Sequence, residues 1–198
     1  MFINLPPVTQ RLIIANVVVF LLTMALGNSV VVPFALWPIG PQFAPWQLVT
    51  YAFLHGSVMH LVLNMFALGM FGSDLERVWG PRRYLIYYGV SVLAAALMQL
   101  AVGLLSGANY PTIGASGGVF GLLLAFALYF PRRTVMLILP PIPMPAWLFA
   151  TLYGALELFL GVTGTEAGVA HFAHLGGMLG GYVLILIWRS HRGPFARR

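Results

Sequence analysis

Six long apolar runs, separated by short polar connections, constrain this chain more than any other feature. They cover roughly residues 12–26, 49–71, 84–105, 116–130, 146–162 and 169–188. Most approach the roughly 20 residues that a helix needs to cross a hydrocarbon core, and the fourth is short. With 60% hydrophobic and only 7% charged residues, the chain has too little polar surface to cover that much apolar material in water. Lipid must solvate it. The expected fold is an all-α, polytopic membrane bundle of six transmembrane helices, a single domain over 1–198. The proline-dense stretch between Arg133 and Ala146 is placed at the interface, because its prolines prevent a continuous helix. The first run follows Arg11 without a small-residue cleavage site, so it is read as the first membrane helix rather than a removable signal.

The charges supply an orientation. Arg11, the Arg77/Arg82/Arg83 loop, the Arg132/Arg133 loop and the tail from Arg189 to Arg198 alternate with connections 27–48, 106–115 and 163–168, which hold no arginine and one acid, Glu166. Basic residues collect on the cytoplasmic side of membrane proteins, so both termini are expected there, with a short tail over about 189–198. The net charge of +6 is thus a topology signal and not a nucleic-acid footprint, since the arginines form no patch with interleaved polar surface. Within the long outer connection 27–48, Trp37 and Trp46 suit the headgroup region. There is no cysteine, which excludes disulfides, thiolate catalysis and cysteine-ligated zinc.

Polar groups inside membrane helices are costly, and they mark either interhelical hydrogen bonding or a functional site. Here they are His60, Asn64, Ser116, Glu157, His171 and His174. Ser116 lies 16 residues before Arg132, about 24 Å from the arginine-rich side at the helical rise. His174 lies 15 residues before Arg189 and His60 14 before Asp74, about 22 and 21 Å on the same measure. Three runs therefore place one serine and two histidines at a common depth. His171 is about 4.5 Å nearer the outer surface than His174, where water or an interfacial group would meet it. Asn64 follows His60 by one turn and shares its face. Ser116 opens the short fourth run, where free N–H groups and the positive end of a helix dipole favour a developing oxyanion. Gly117 and Gly121 on that run, and Gly177 and Gly181 beyond His174, form small-xxx-small faces that let two backbones approach.

These residues resemble the rhomboid family of intramembrane serine proteases across nearly the whole chain. The family's Gly-x-Ser-Gly element is similar to Gly114-Ala115-Ser116-Gly117, and its histidine-helix pattern to His174, Gly177 and Gly181. Its His-x-x-x-Asn element resembles His60 and Asn64, preceded by His55, and a Glu-x-x-x-Gly element resembles Glu76 and Gly80. One departure falls in the first outer loop, where Trp46-Gln47 stands in place of the family's frequent Trp-Arg and bears on loop stability or substrate handling.

The resemblance implies a serine endopeptidase with Ser116 as nucleophile and His174 as general base and then acid. The Ser116 N–H, His60 and Asn64 would stabilise the oxyanion, and Phe120 would pack on the histidine. No third, acidic member is implied; Glu157 is read as packing or gating polarity. Substrates would be transmembrane segments of other membrane proteins, cut near their outer ends, with no cofactor, no metal and no nucleic acid involved. The lack of lysine and of an appended soluble domain suggests a bacterial inner-membrane protein. The competing readings are an inactive relative that binds membrane clients, a small transporter, and a zinc enzyme built on His171 and His174, for which the sequence offers no convincing further ligands.

Overall fold

The computed structural model describes residues 4–107, 109–136, 141–163 and 170–190. Glu166 and the arginines beyond Ser190 lie outside the described residues, as does part of the stretch between Arg133 and Ala146. Within the described residues, five helices are long and apolar enough to cross a membrane: Pro7–Leu26, Val58–Trp79, Pro81–Ser106, Ala146–Thr163 and His171–Ser190. A sixth apolar helix, Ser116–Tyr129, has 14 residues, about 21 Å of rise against a core of about 30 Å.

In chain order, α1 is Pro7–Leu26, α2 Asn28–Phe34 and α3 Gln47–Thr50; a 3₁₀ turn at Tyr51–Phe53 precedes α4, Val58–Ala67. A π turn at Leu68–Gly72 carries α4 into α5, Ser73–Trp79. Then come α6 (Pro81–Ser106), α7 (Ser116–Tyr129), α8 (Ala146–Thr163) and α9 (His171–Ser190). The membrane-length helix of the second apolar run begins at Val58 and not at residue 49, which lies in the short α3. Leu54 is extended, and the Ser57 hydroxyl accepts from the His60 N–H as an N-cap, so the chain turns before entering the bundle. Among the described residues, the expectation of an all-helical chain is departed from by one strand pair. Thr134–Met136 (β1) pairs antiparallel with Pro143–Pro145 (β2), because the prolines that forbid a helix are tolerated at the ends of a two-stranded ribbon.

α9 packs chiefly against α6 and α7, and also against α8. Its approach to α7 is so close that a Cβ at Gly177 would collide with the Gly117 carbonyl. Gly181 has a different neighbour from the one expected. It faces the Tyr87 ring of α6, whose hydroxyl donates to the Gly121 carbonyl at 2.9 Å, so α6 is wedged beside that end of the α7–α9 contact.

The two ends of the bundle differ in chemistry. At one, Asp74 pairs with Arg77 and Arg133, Arg77 reaches the Asn4 carbonyl, and Arg83 lies 4.1 Å from the centre of the Trp188 ring. At the other, Leu36 and Thr112 exchange backbone hydrogen bonds of 3.0 and 2.9 Å, tying the chain after α2 to the segment that leads into Ser116. The neutral Gln47 is fully buried there. It donates to the carbonyls of Gln42 (2.9 Å) and Pro33 (3.3 Å) and accepts from the Trp37 N–H (3.2 Å). Trp46 donates to the same Pro33 carbonyl, so this loop is cross-linked by neutral hydrogen bonds.

Candidate active site

Ser116 is the first residue of α7, held there by a turn that few residues could make. Gly114 has φ +127°, and a Cβ on it would meet the His60 ring, so only glycine combines that backbone with that neighbour. The Gly114 N–H donates to the Tyr51 carbonyl at 2.9 Å, while the Tyr51 hydroxyl donates to the Val92 carbonyl of α6 at 2.8 Å. Tyr51 thereby ties the serine turn to the bundle. The sequence signal for it, a tyrosine in an apolar run, is too common to single it out.

His174 Nε2 lies 2.7 Å from Ser116 Oγ. The imidazole is stacked on Phe120, with ring centres 4.4 Å apart and planes within 4° of parallel. Behind it, His174 Nδ1 lies 2.8 Å from Glu157 Oε2 on α8. Two expectations are corrected here. Glu157, read as packing or gating polarity apart from the pair, touches the histidine that touches the serine. His171 does not reach outward to water or an interfacial group; it is buried, and its Nδ1 lies 2.7 Å from the same Glu157 oxygen. Counting along α9 gives an expected height, but height alone does not say which way a ring points.

His60 and Asn64 line the same cavity as Ser116, Phe120, Glu157 and His174, a space of about 900 Å³. His60 meets the edge of His55 at 4.9 Å between ring centres. One Asn64 amide hydrogen is committed to the His60 carbonyl, at 2.9 Å, which leaves the other available to the cavity. A hydroxyl in contact with an imidazole can transfer its proton as it attacks an electrophile. The first N–H groups of α7 have no helical partners and can receive negative charge beside it.

Membrane-length apolar helices closing around a serine–imidazole contact define an integral membrane protein with a hydroxyl and an imidazole side by side. Residues 42–191 match the family model described as the Rhomboid domain. The chain belongs to the rhomboid family. It is 31% identical over 144 residues to Rhomboid protein 1, mitochondrial, of Saccharomyces cerevisiae, covering 68% of this chain and 39% of that protein. It is 32% identical over 168 residues to RHOMBOID-like protein 4 of Arabidopsis thaliana (77% of this chain, 37% of the relative). To RHOMBOID-like protein 6, mitochondrial, of the same plant it is 32% identical over 155 residues (75% and 46%). The matched region thus spans less than half the length of each of these relatives.

Proposed function

We propose that this protein is an intramembrane serine endopeptidase that cuts transmembrane segments of other membrane proteins near their outer ends. The 2.7 Å approach of Ser116 Oγ to His174 Nε2 beside the cavity is the observation that carries this reading. Ser116 Oγ attacks the scissile carbonyl carbon while His174 Nε2 takes the hydroxyl proton. The oxyanion is held by the Ser116 N–H with His60 and Asn64. Collapse breaks the C–N bond, and His174 returns the proton to the leaving amine. Water then enters through the cavity and hydrolyses the acyl-serine by the same steps in reverse order.

In this proposal all six apolar helices cross the bilayer, the arginine-rich end and both termini face the cytoplasmic side, and the short α7 leaves room above Ser116 for water and an unwound substrate. Two of the three relatives are mitochondrial by name, so kinship lends no support to the bacterial inner membrane expected from composition. The deciding experiment incubates the purified, detergent-solubilised protein with a single-span membrane substrate and follows product bands. Cleavage that vanishes in Ser116→Ala supports the protease. A wild-type protein that binds the substrate, leaves it intact and is not labelled at Ser116 by a fluorophosphonate would instead be the inactive client-binding relative.

A further inference from the structure

We propose that Glu157 is a positioning residue for His174: its carboxylate accepts the Nδ1–H and so holds the ring in the tautomer whose Nε2 lone pair faces Ser116, with His171 as the second donor that pins the carboxylate. This rests on the protease reading above and adds an acid to what is otherwise a serine–histidine pair.

An ionised carboxylate can only accept hydrogen bonds, so at 2.8 Å from Glu157 Oε2 the Nδ1 of His174 must carry a proton. A neutral imidazole has one such proton, and Nε2 is therefore the acceptor directed at the serine hydroxyl, 2.7 Å away. The opposite tautomer would set a lone pair against the carboxylate and an N–H toward the hydroxyl oxygen. The Phe120 stack fixes the plane of the ring, yet a flat apolar face is indifferent to a 180° flip of the imidazole about Cβ–Cγ, which returns it to the same plane. Only the polar partners distinguish the two orientations, and Glu157 supplies the one on the far side from Ser116.

His171 completes the arrangement. It stands three residues before His174 on α9, and the two rings lie 6.4 Å apart with planes at 87°, so they reach one oxygen from two directions. Its Nδ1 donates to Glu157 Oε2 at 2.7 Å, while its Nε2 is buried with no partner among the described residues. That nitrogen then carries an unfilled lone pair and not a stranded N–H. A carboxylate buried in an apolar bundle is costly unless hydrogen-bonded, and two imidazole donors offset that cost. As His174 takes the serine proton, the imidazolium forms against the carboxylate, where exclusion of water strengthens the attraction.

The same three side chains offer one ligand atom each within 4.8 Å of one another, which also suits a divalent metal in outline. Donors on a tetrahedral ion at about 2.0–2.1 Å stand about 3.3 Å apart. The observed 2.7 and 2.8 Å separations are those of hydrogen bonds.

The test compares Glu157→Gln and Glu157→Asp with the wild type in steady-state cleavage, beside ¹⁵N-histidine spectra of the detergent-solubilised protein. Gln preserves shape but can donate to Nδ1 and stabilise the wrong tautomer; Asp is shorter but keeps the acceptor. Expected are a fall in kcat on the order of 10²-fold or more for Gln with KM little changed, and a higher kcat for Asp than for Gln. The wild-type His174 should resonate as the Nδ1–H tautomer. Wild-type kcat in Glu157→Gln, a better rate in Gln than in Asp, or a wild-type His174 protonated at Nε2 would each overturn the inference. The spectrum needs no variant, so a misfolded mutant leaves the proposal testable. An uncleaved substrate with the wild type would count against the protease reading and not against Glu157 alone.

Discussion

The chain buries two glutamates among its described residues, Glu76 and Glu157, at nearly equal depth from solvent: 2% and 7% exposed. Glu76, in α5, accepts from the N–H groups of Val8 (2.9 Å) and Thr9 (2.7 Å) and from the Thr9 hydroxyl (2.8 Å). It closes the N-terminus of α1 from another helix, where free N–H groups and the helix dipole favour a carboxylate. Glu157 Oε2 instead lies within hydrogen-bonding distance of two imidazole nitrogens. Backbone N–H groups cannot change their protonation, so Glu76 can only hold; imidazoles can, so whatever orients them also orients a proton. The same side chain, buried in both places, thus ties two helices together in one region and, in the proposed protease, aims the reactive pair in the other.

That contrast stands only if the chain of contacts from Glu157 ends in chemistry. The largest effect is expected from Ser116→Ala and His174→Ala, each of which should eliminate detectable product in a time course at matched enzyme and substrate. Both should keep the wild-type thermal unfolding profile within a few degrees. Cleavage by either variant breaks the assignment. Next comes the opposite wall of the cavity. His60→Ala combined with Asn64→Ala should lower kcat by about 10²–10³-fold, the effect of losing oxyanion donors, with a smaller change in KM. An unchanged turnover number would remove both residues from the oxyanion site.

His171→Ala should cost only a few-fold in kcat, because Glu157 keeps its bond to His174 and loses its second anchor. A His171 variant as inactive as the His174 variant would mean that the two imidazoles share the proton. Glu76→Ala should leave kcat per folded molecule within about twofold of wild type while lowering stability by about 2–4 kcal/mol, since three donors lose a charged acceptor. Thermal unfolding beside active-site titration separates the two quantities, and a kcat loss at full folding would erase the contrast with Glu157. The smallest effect is expected from metal chelators. Activity should be unchanged, because the Glu157–His171–His174 spacing is that of hydrogen bonds; a loss restored by added zinc would make the cluster a metal centre.

Much of this was legible in one dimension. Lipid as solvent imposes length and apolarity on each span, so the helices could be read from hydropathy. The close backbone approach of α7 and α9 was announced by their glycines, and the Gly117–Gly177 contact is where it occurs. The proline-rich connection was readable as non-helical, though not as a strand pair. Four short motifs in the rhomboid order pointed to the family that the Rhomboid domain match then established.

What the linear chain offered, then, was an expected depth: each residue advances about 1.5 Å along its helix, and counting from Arg132, Arg189 and Asp74 put Ser116, His174 and His60 at one level. Azimuth was decided only by the tertiary structure. How far α8 and α9 are turned about their axes depends on the side chains that pack between them and on α6, and no local pattern encodes it. That rotation brings Glu157 to His174, turns His171 inward to the same oxygen, and sends Gly181 toward Tyr87 instead of α7. Two residues can share a height in the bilayer and never meet; packing around the helix axis chose which of them do.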